Sequence, residues 1–413
     1  MPSTNQSQMD ALTGRIEREY QAATQYSTKS VDFLKNLDAF LTASLTSLFN
    51  LRRSKYKRCL AFGGSATKMK TNDSDIDVII VIERYEGYGE MEDEMRTDML
   101  FNLMYRLVDH FKFHTHWLAH RAKVPVISCK NTKYEVDFVV YIGSDIPPNY
   151  LAAVAFNAYQ QIEPRLAPLC VYLKKWAKHF QRQNYDDKEM EQGVPNSYTI
   201  VIMVIAMLQK HKILPNLVSE IFDPKCATWE KLDRINSMYP LKRKEVGEMR
   251  KRMGPMVSLG EMVVMFFEMY ADFDMINSKI IMEDMSIIDK DDSDPTDMLL
   301  IIDRYDKHIP SRRVTDTAKL RSLCRKALKA IEDSQKSGYD DVLETWFGDE
   351  KPVGQWYKME RNKFTRAIEL REEDHNIKSS RPKRKKYVIK DKEEETNYSI
   401  RNEPWIPTEV CVW

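Results

Sequence analysis

CLAFGGSATKMKTNDSDIDVIIVIE, residues Cys59 to Glu83, is the stretch on which the reading of this chain turns. It runs from a short apolar segment through Gly63, Gly64 and Ser65, then nine residues to Asp75-Ile76-Asp77-Val78 and a β-branched run ending at Ile82. That run is too short and too β-branched for a helix, and predicts a buried strand. Residues two apart on a strand point to the same side, at ~3.3 Å rise each, so the carboxylates of Asp75 and Asp77 are expected to converge. Two such side chains at one point suit Mg²⁺, a hard cation that prefers carboxylates and phosphates. A third carboxylate, Asp137, sits in the apolar run Val136 to Tyr141 and is expected on a neighbouring strand. Three carboxylates can hold two divalent ions, Mg²⁺ or Mn²⁺, roughly 3.5–4 Å apart, the arrangement for in-line displacement on phosphorus.

The glycines fit the same chemistry. Gly63 and Gly64 let the backbone approach a phosphate with no Cβ in the way. Ser65 is expected to cap the helix that follows, whose free N–H groups and dipole attract anions. A nucleoside triphosphate would then lie between this turn and the metals. Asp-x-Asp and Gly-Gly-Ser are each ordinary surface features alone. Their joint occurrence, with the apolar strand and a third aspartate, carries the reading.

Outward from this stretch, residues 1–50 read as helices: Leu37, Phe40, Leu41, Leu45, Leu48 and Phe49 recur at three and four. They are expected to pack on the helical part of the chain. Asp98 to Phe111 is again helical, and KVPVISCKN and YEVDFVVYIG read as two strands joined by a polar turn. Together these make a mixed α/β unit over 51–150. From Leu151 the pattern is helical to about Ser334, broken by a polar loop from Gln183 to Pro195 and by an acidic stretch, Ser278 to Pro295, expected to be a loop with short pieces of structure. Residues 336–413 form a charged, partly ordered extension, in which KRKKYVIKDKEEE reads as a weakly ordered arm.

Composition excludes several classes. Of 413 residues 43% are hydrophobic, enough for a packed core, and only 13 are glycine, which rules out collagen-like and Gly-rich chains. No run of ~18 apolar residues is present, so no membrane span is expected. The N-terminal MPSTNQSQMD lacks the apolar core of a secretion signal. The six cysteines lie far apart with no CxxC pair, arguing against a zinc cage and for reduced thiols. The net charge of +1 averages over separated blocks, basic at Arg52 to Arg58, Lys242 to Arg252 and Arg381 to Lys386, acidic at Glu283 to Asp297 and Asp340 to Glu350. Such segregation can build a positive groove on a neutral protein. His110, His114, His116 and His120 have no accompanying cysteine and read as surface or core residues.

Gly-Gly-Ser, nine residues and Asp-Ile-Asp-Val resemble the nucleotidyltransferase superfamily that includes DNA polymerase β. LCVYLKKWAKH (Leu169 to His179), NSYTIVIMVIAMLQ (Asn196 to Gln209), LPNL (Leu214 to Leu217) and LGEMVVMFFEMYADFD (Leu259 to Asp274) resemble the terminal uridylyltransferases and cytoplasmic-type poly(A) polymerases. The resemblance covers roughly residues 30 to 330. It implies an α+β fold: a polymerase β-like mixed-sheet catalytic domain at 51–150 and a mainly helical poly(A)-polymerase-associated domain at 151–335. It implies catalytic metal ligands at Asp75, Asp77 and Asp137, and nucleotide contacts at Gly64, Ser65, Lys174, Lys178, Ser197 and Tyr198. The two lysines, four apart, share a helix face. The Tyr198 ring would stack on a base, which any base tolerates.

Two departures bear on substrate choice. The family's usual ribose-contacting asparagine is replaced by Ala152, with Asn149 and Asn157 nearby. The histidine that usually follows an Asp-Pro in uridylyltransferases is missing after Asp294-Pro295, where Leu300 takes its approximate place. The expectation is template-independent addition of ribonucleotides to an RNA 3′ end, not strictly from UTP, with poly(A) or mixed tails. The implied partners are an RNA 3′ end, a ribonucleoside triphosphate and an RNA-binding adaptor protein. The implied location is the cytoplasm, including ribonucleoprotein granules, with the nucleus as alternative. The rival readings are a 2′-5′ oligoadenylate or cyclic dinucleotide synthase, and a catalytically dead scaffold.

Overall fold

Elements follow the sequence pattern closely in the first half of the chain. Helices α1 (Gln6–Thr24) and α2 (Thr28–Leu51) lead into strand β1 (Ser54–Ala61), the one-turn helix α3 (Gly63–Ala66) and strand β2 (Ile76–Arg84). Helix α4 (Asp93–Phe111) precedes β3 (Thr115–Ala119), β4 (Val126–Lys130) and β5 (Glu135–Ile142). The structure is a computed structural model and describes residues 6–24, 28–51, 54–71, 74–84, 93–119, 125–143, 145–183, 193–217, 228–230, 240–254, 256–282, 286–302, 309–312, 314–334, 388–391 and 394–397.

These strands make one mixed sheet, ordered β1-β2-β5-β4-β3. The pair β2–β5 is parallel, and the other neighbours are antiparallel. Alternation along the strands gives two different faces. On one face Val78, Ile80, Ile82, Val136, Phe138 and Val140 are buried against Leu100, Leu103 and Leu107 of α4 and Phe33, Leu37 and Leu41 of α2. The Phe33 ring meets Phe111, Tyr134 and Phe138 at centroid distances of 5.1, 4.7 and 6.3 Å. Helix α2 therefore packs in the sheet's core, whereas the expectation for residues 1–50 placed it with α1 on the helical part. The reason is steric: its apolar stripe supplies a cover that this face needs.

The helical part begins with α5 (Pro148–Ile162), which has proline in its first turn, and α6 (Leu166–Gln183). Almost every α5 residue from Tyr150 to Gln160 is buried, as expected of a helix packed on all sides. Next come α7 (Ser197–Lys210), α8 (Arg243–Lys251) and α9 (Leu259–Asp272). The Asn196 side chain caps α7 by accepting from the Thr199 N–H, and Ser258 with Glu261 forms a capping box on α9. Helix α1 lies against α9. A Cβ on Gly260 would sit 2.7 Å from the Met9 carbonyl oxygen, and the Gly260 N–H donates to Thr13 at 2.9 Å.

Within Ser278 to Pro295, expected to be a loop with short pieces of structure, the chain forms β6 (Ser278–Ile281) and β7 (Ser286–Asp289), which join β8 (Leu300–Ile302) in a sheet ordered β7-β6-β8 with β6 and β8 parallel. Strands of three or four residues are too short to show a period, and their apolar residues gain meaning only once paired. The acidic residues between them are ligands for lysines: Lys279 Nζ lies 2.9 Å from Asp291 and 2.5 Å from Asp294. Helix α10 (Thr317–Ser334) follows. Within residues 347–413, a separate compact unit, β9 (Val388–Asp391) and β10 (Glu394–Asn397) form an antiparallel hairpin. The hairpin lies within the stretch expected to be a weakly ordered arm. The basic run Arg381 to Lys386 and most of the Gln183 to Pro195 loop lie outside the described residues. Among the described residues no helix is long and apolar enough to cross a membrane.

Candidate active site

The sheet face turned away from the α2–α4 core carries the carboxylates. Asp77 and Asp137 are direct register partners on the parallel strands β2 and β5. Ser128 on β4 is the register partner of Asp137, and its hydroxyl donates to Asp137 Oδ1. Asp75 precedes β2, and its carbonyl accepts from Lys70 Nζ at 3.0 Å. Gly63 has φ +53°, and a Cβ there would stand 2.9 Å from Asp77 Oδ2. Only glycine satisfies both the left-handed backbone and this close approach.

Ser65 behaves differently from the expected helix cap. Helix α3 starts after Phe62 with no side-chain cap, and Ser65 lies inside its single turn. Its hydroxyl oxygen accepts from the Asp77 N–H at 2.9 Å. The serine thus ties the Gly-Gly-Ser turn to the carboxylate strand, because a one-turn helix leaves its hydroxyl free to reach across. From the other side, α5 grips the same turn. Asn157 Nδ2 donates to the Ala66 carbonyl at 2.9 Å, and Gln160 Oε1 accepts from the Lys68 N–H at 3.3 Å. Ala152, at the position of the family's asparagine, is buried.

Burial, reinforced by the neighbouring Asp137, raises Asp75 and Asp77 to about 7. Glu135 adds to this at Asp75, and Asp75 adds to it at Asp77. Asp137 is raised chiefly by burial, partly offset by the Ser128 hydrogen bond. Cations surround the cluster. Lys70 and Lys174 both act on Asp77, and Lys178 and Lys130 act on Asp75. Burial lowers Lys70 and Lys174, each partly drawn back by Asp77. Lys174 Nζ also donates to the Met69 carbonyl at 3.4 Å. Both members of the Lys174–Lys178 pair thus act on the carboxylates from α6.

Ser197 and Tyr198 open helix α7, with Ser197 exposed and Tyr198 half-buried. The Tyr198 ring lies 5.8 Å from Phe156, the residue before Asn157, and its hydroxyl donates to Met282 Sδ at 3.6 Å. Leu300 is fully buried in β8, so it takes no part in reading a base. The chain instead meets the start of α7 at Pro310, whose carbonyl accepts from Asn196 Nδ2 at 3.3 Å and Thr199 Oγ1 at 3.0 Å. His308, two residues earlier, lies outside the described residues.

Sequence reading missed Lys70, Ser128, Lys130 and Gln160, and gave Asn157 no hold on the turn. For Ser128 and Lys130 a signal existed: they alternate with Ile127 and Cys129 at the strand period. For Asn157 and Gln160 there was none, since both sit in a helix that is apolar on every side. Among the described residues no three His, Cys, Asp or Glu side chains form a ready-made metal cage. The aspartates nonetheless present hard oxygen donors from adjoining strands, at a place where burial disfavours their negative charge.

Residues 12–141 match a family described as the central palm domain of mitochondrial-like poly(A) RNA polymerase. This stretch is similar to the palm of RNA nucleotidyltransferases. Human terminal uridylyltransferase 4 is 30% identical to it over 169 residues, 40% of this chain and 9% of that protein. Poly(A) RNA polymerase GLD2-A of Xenopus laevis is 25% identical over 171 residues, 41% of this chain and 31% of that protein. The chain thus spans less than a third of the length of either relative. A solved GLD-2/RNP-8 complex matches 82% of this chain and 98% of that chain, with a TM-score of 0.58 and 18% identity, which shows a shared fold. The five-stranded sheet and the helices that follow it share the fold of that chain.

Proposed function

We propose that the chain adds ribonucleotides, without a template, to the 3′ end of RNA. The RNA 3′-oxygen attacks the α-phosphorus of a nucleoside triphosphate. A new P–O bond forms, the bond to pyrophosphate breaks, and the hydroxyl proton is lost. The observation that carries this reading is Asp77 paired with Asp137 on adjoining parallel strands, directly under a glycine turn that only a Cβ-free residue can form.

Asp75, Asp77 and Asp137 would hold Mg²⁺ or Mn²⁺, which when bound lowers the pKa of the attacking hydroxyl and stabilises the departing pyrophosphate. The donor set fits such ions, because buried carboxylates that repel one another are relieved by a divalent cation. The Gly63–Ser65 turn places backbone N–H groups beside the phosphates. Lys70, Lys174 and Lys178 would balance the triphosphate charge, and Tyr198 would offer a face to the base. Ser197, exposed at the start of α7, would add a hydroxyl to a phosphate.

The named relatives divide between uridylyl transfer and poly(A) synthesis, so both UTP and ATP are proposed as substrates. The GLD-2/RNP-8 complex is an assembly of two proteins, which supports an adaptor here that brings the RNA. The cytoplasm is the proposed location. The test is purified protein with a labelled RNA primer, each nucleotide separately, and Mg²⁺ or Mn²⁺. Stepwise extension in wild type and none in Asp77→Asn is the expected result. Primer-independent products from ATP alone would point instead to an oligoadenylate or cyclic dinucleotide synthase. No product from a folded protein would favour a scaffold.

A further inference from the structure

The row of side chains that begins at Asp77 does not end at Ser128. Asp77 pairs with Asp137, Asp137 with Ser128, and Ser128 with Trp117. Register partners project from the same face of a sheet. Trp117 therefore shares the carboxylate face and stands at its border, because β3 is the last strand of the sheet. The next row holds Glu135, Lys130 and Thr115. Lys130 lies 2.5 Å from Glu135 and is among the cations that act on Asp75. The alternate residues of these strands, Leu118, Ile127 and Cys129, are buried in the α2–α4 core. Trp117 is half-buried, and its side chain has no hydrogen bond or ring contact among the described residues. An aromatic ring on an edge strand, outside the α2–α4 core, is unusual, since edges are ordinarily protected by charge.

The two sides of the carboxylate cluster differ in kind. Towards β1 lie the Gly63–Ser65 turn and Lys70, the groups suited to phosphates. In-line displacement brings the attacking oxygen from the side opposite the leaving group. With pyrophosphate leaving over the turn, the acceptor must approach over β4 and β3. We propose that Trp117 seats the 3′-terminal nucleotide of the acceptor RNA by stacking on its base, with Lys130 facing a phosphate of the same strand. This inference rests on the RNA-transfer reading above and adds the residue that positions the acceptor. Two strand spacings, roughly 10 Å, separate Asp137 from Trp117, within reach of one nucleotide. Stacking accepts any base, which suits an enzyme that meets whichever base it last added.

Steady-state extension and anisotropy of a labelled primer test this together. Trp117→Ala is expected to raise the primer KM and Kd by at least ~5-fold, the effect of losing one base–aromatic stack, with kcat and nucleotide KM unchanged. Trp117→Phe should recover most of the loss and guards against a folding defect. A primer ending in an abasic nucleotide should bind both proteins alike. A primer KM and Kd within about twofold of wild type, or an equal loss on the abasic primer, overturns the seat while leaving RNA transfer intact. If wild type binds primer without extending it, the transfer reading fails and anisotropy alone decides the seat. If wild type binds no RNA, both fall.

Discussion

The five-stranded and the three-stranded sheet use aspartate in opposite ways. In the five-stranded sheet Asp75 and Asp77 are pushed up to about 7 by burial and by like charge, and neither makes an ion pair among the described residues. Beside the three-stranded sheet Asp291 is held well below the usual carboxylate range, because the Ser293 hydroxyl and the Lys279 ammonium both donate to it. Carboxylates of the second kind are already satisfied and hold loops together. Those of the first kind stay raised despite the lysines around them, which suits a site that takes up divalent cations. A count of acidic residues along the chain does not separate the two, since the denser cluster is the structural one.

The sharpest way to break this comparison is to neutralise one aspartate of each kind. Asp77→Asn should reduce extension by at least ~10²-fold, as loss of a charge-stabilising group does, while the protein stays folded. Asp291→Asn should leave extension unchanged. Comparable losses in both would erase the distinction.

Leu300→His probes the small sheet from inside. A histidine in place of a fully buried leucine loses apolar contact and buries a polar ring, so we expect a stability loss of about 2–5 kcal/mol in denaturant unfolding. The ratio of UTP to ATP incorporation by the folded fraction should not move. A clear shift towards UTP would return Leu300 to the base pocket.

Gly63→Ala should cost about 1–2 kcal/mol from its positive φ. It should also lower activity, since the new methyl must displace the Asp77 carboxylate. Wild-type extension by this variant would show that the turn is looser than its geometry.

The smallest effect concerns pH. Asp77 rises from 3.8 to about 7 on folding, so the folded state binds its proton more tightly. That contribution is fully present below about pH 4 and is lost as pH rises through about 7. Metal-free protein should therefore lose Tm by a few degrees between about pH 5 and 8, and Asp77→Asn should lose less. Added Mg²⁺ should restore more Tm at the upper end, where the carboxylates are ionised. A parallel pH profile for the variant would place the instability elsewhere.

Much of the five-stranded sheet was legible in the chain itself. Val78 to Ile82 and Val136 to Tyr141 are long enough, and β-branched enough, for their conformation to be read locally. The glycine turn, the three aspartates and the Lys174–Lys178 pair were legible too. The three-stranded sheet was not, because β8 has only three residues and sits behind an acidic run. The base-reading position failed for a related reason. Counting forward from Asp294-Pro295 assumes a loop, whereas pairing with β6 turns Leu300 into the core.

Strand and helix periods, the left-handed glycine and the spacing of Asp75 and Asp77 follow from neighbours in the chain, and local sterics are enough to set them. Everything that joins distant segments came from folding. The pairing of Asp77 with Asp137, the Ser65 hydroxyl turned to the Asp77 N–H, the Asn157 and Gln160 grip on the turn and the place of α2 in the sheet core are of this kind. They depend on which surfaces are buried against each other, and burial also sets the pKa of the aspartates. No stretch of sequence encodes either on its own, because both are properties of a partner found elsewhere in the chain.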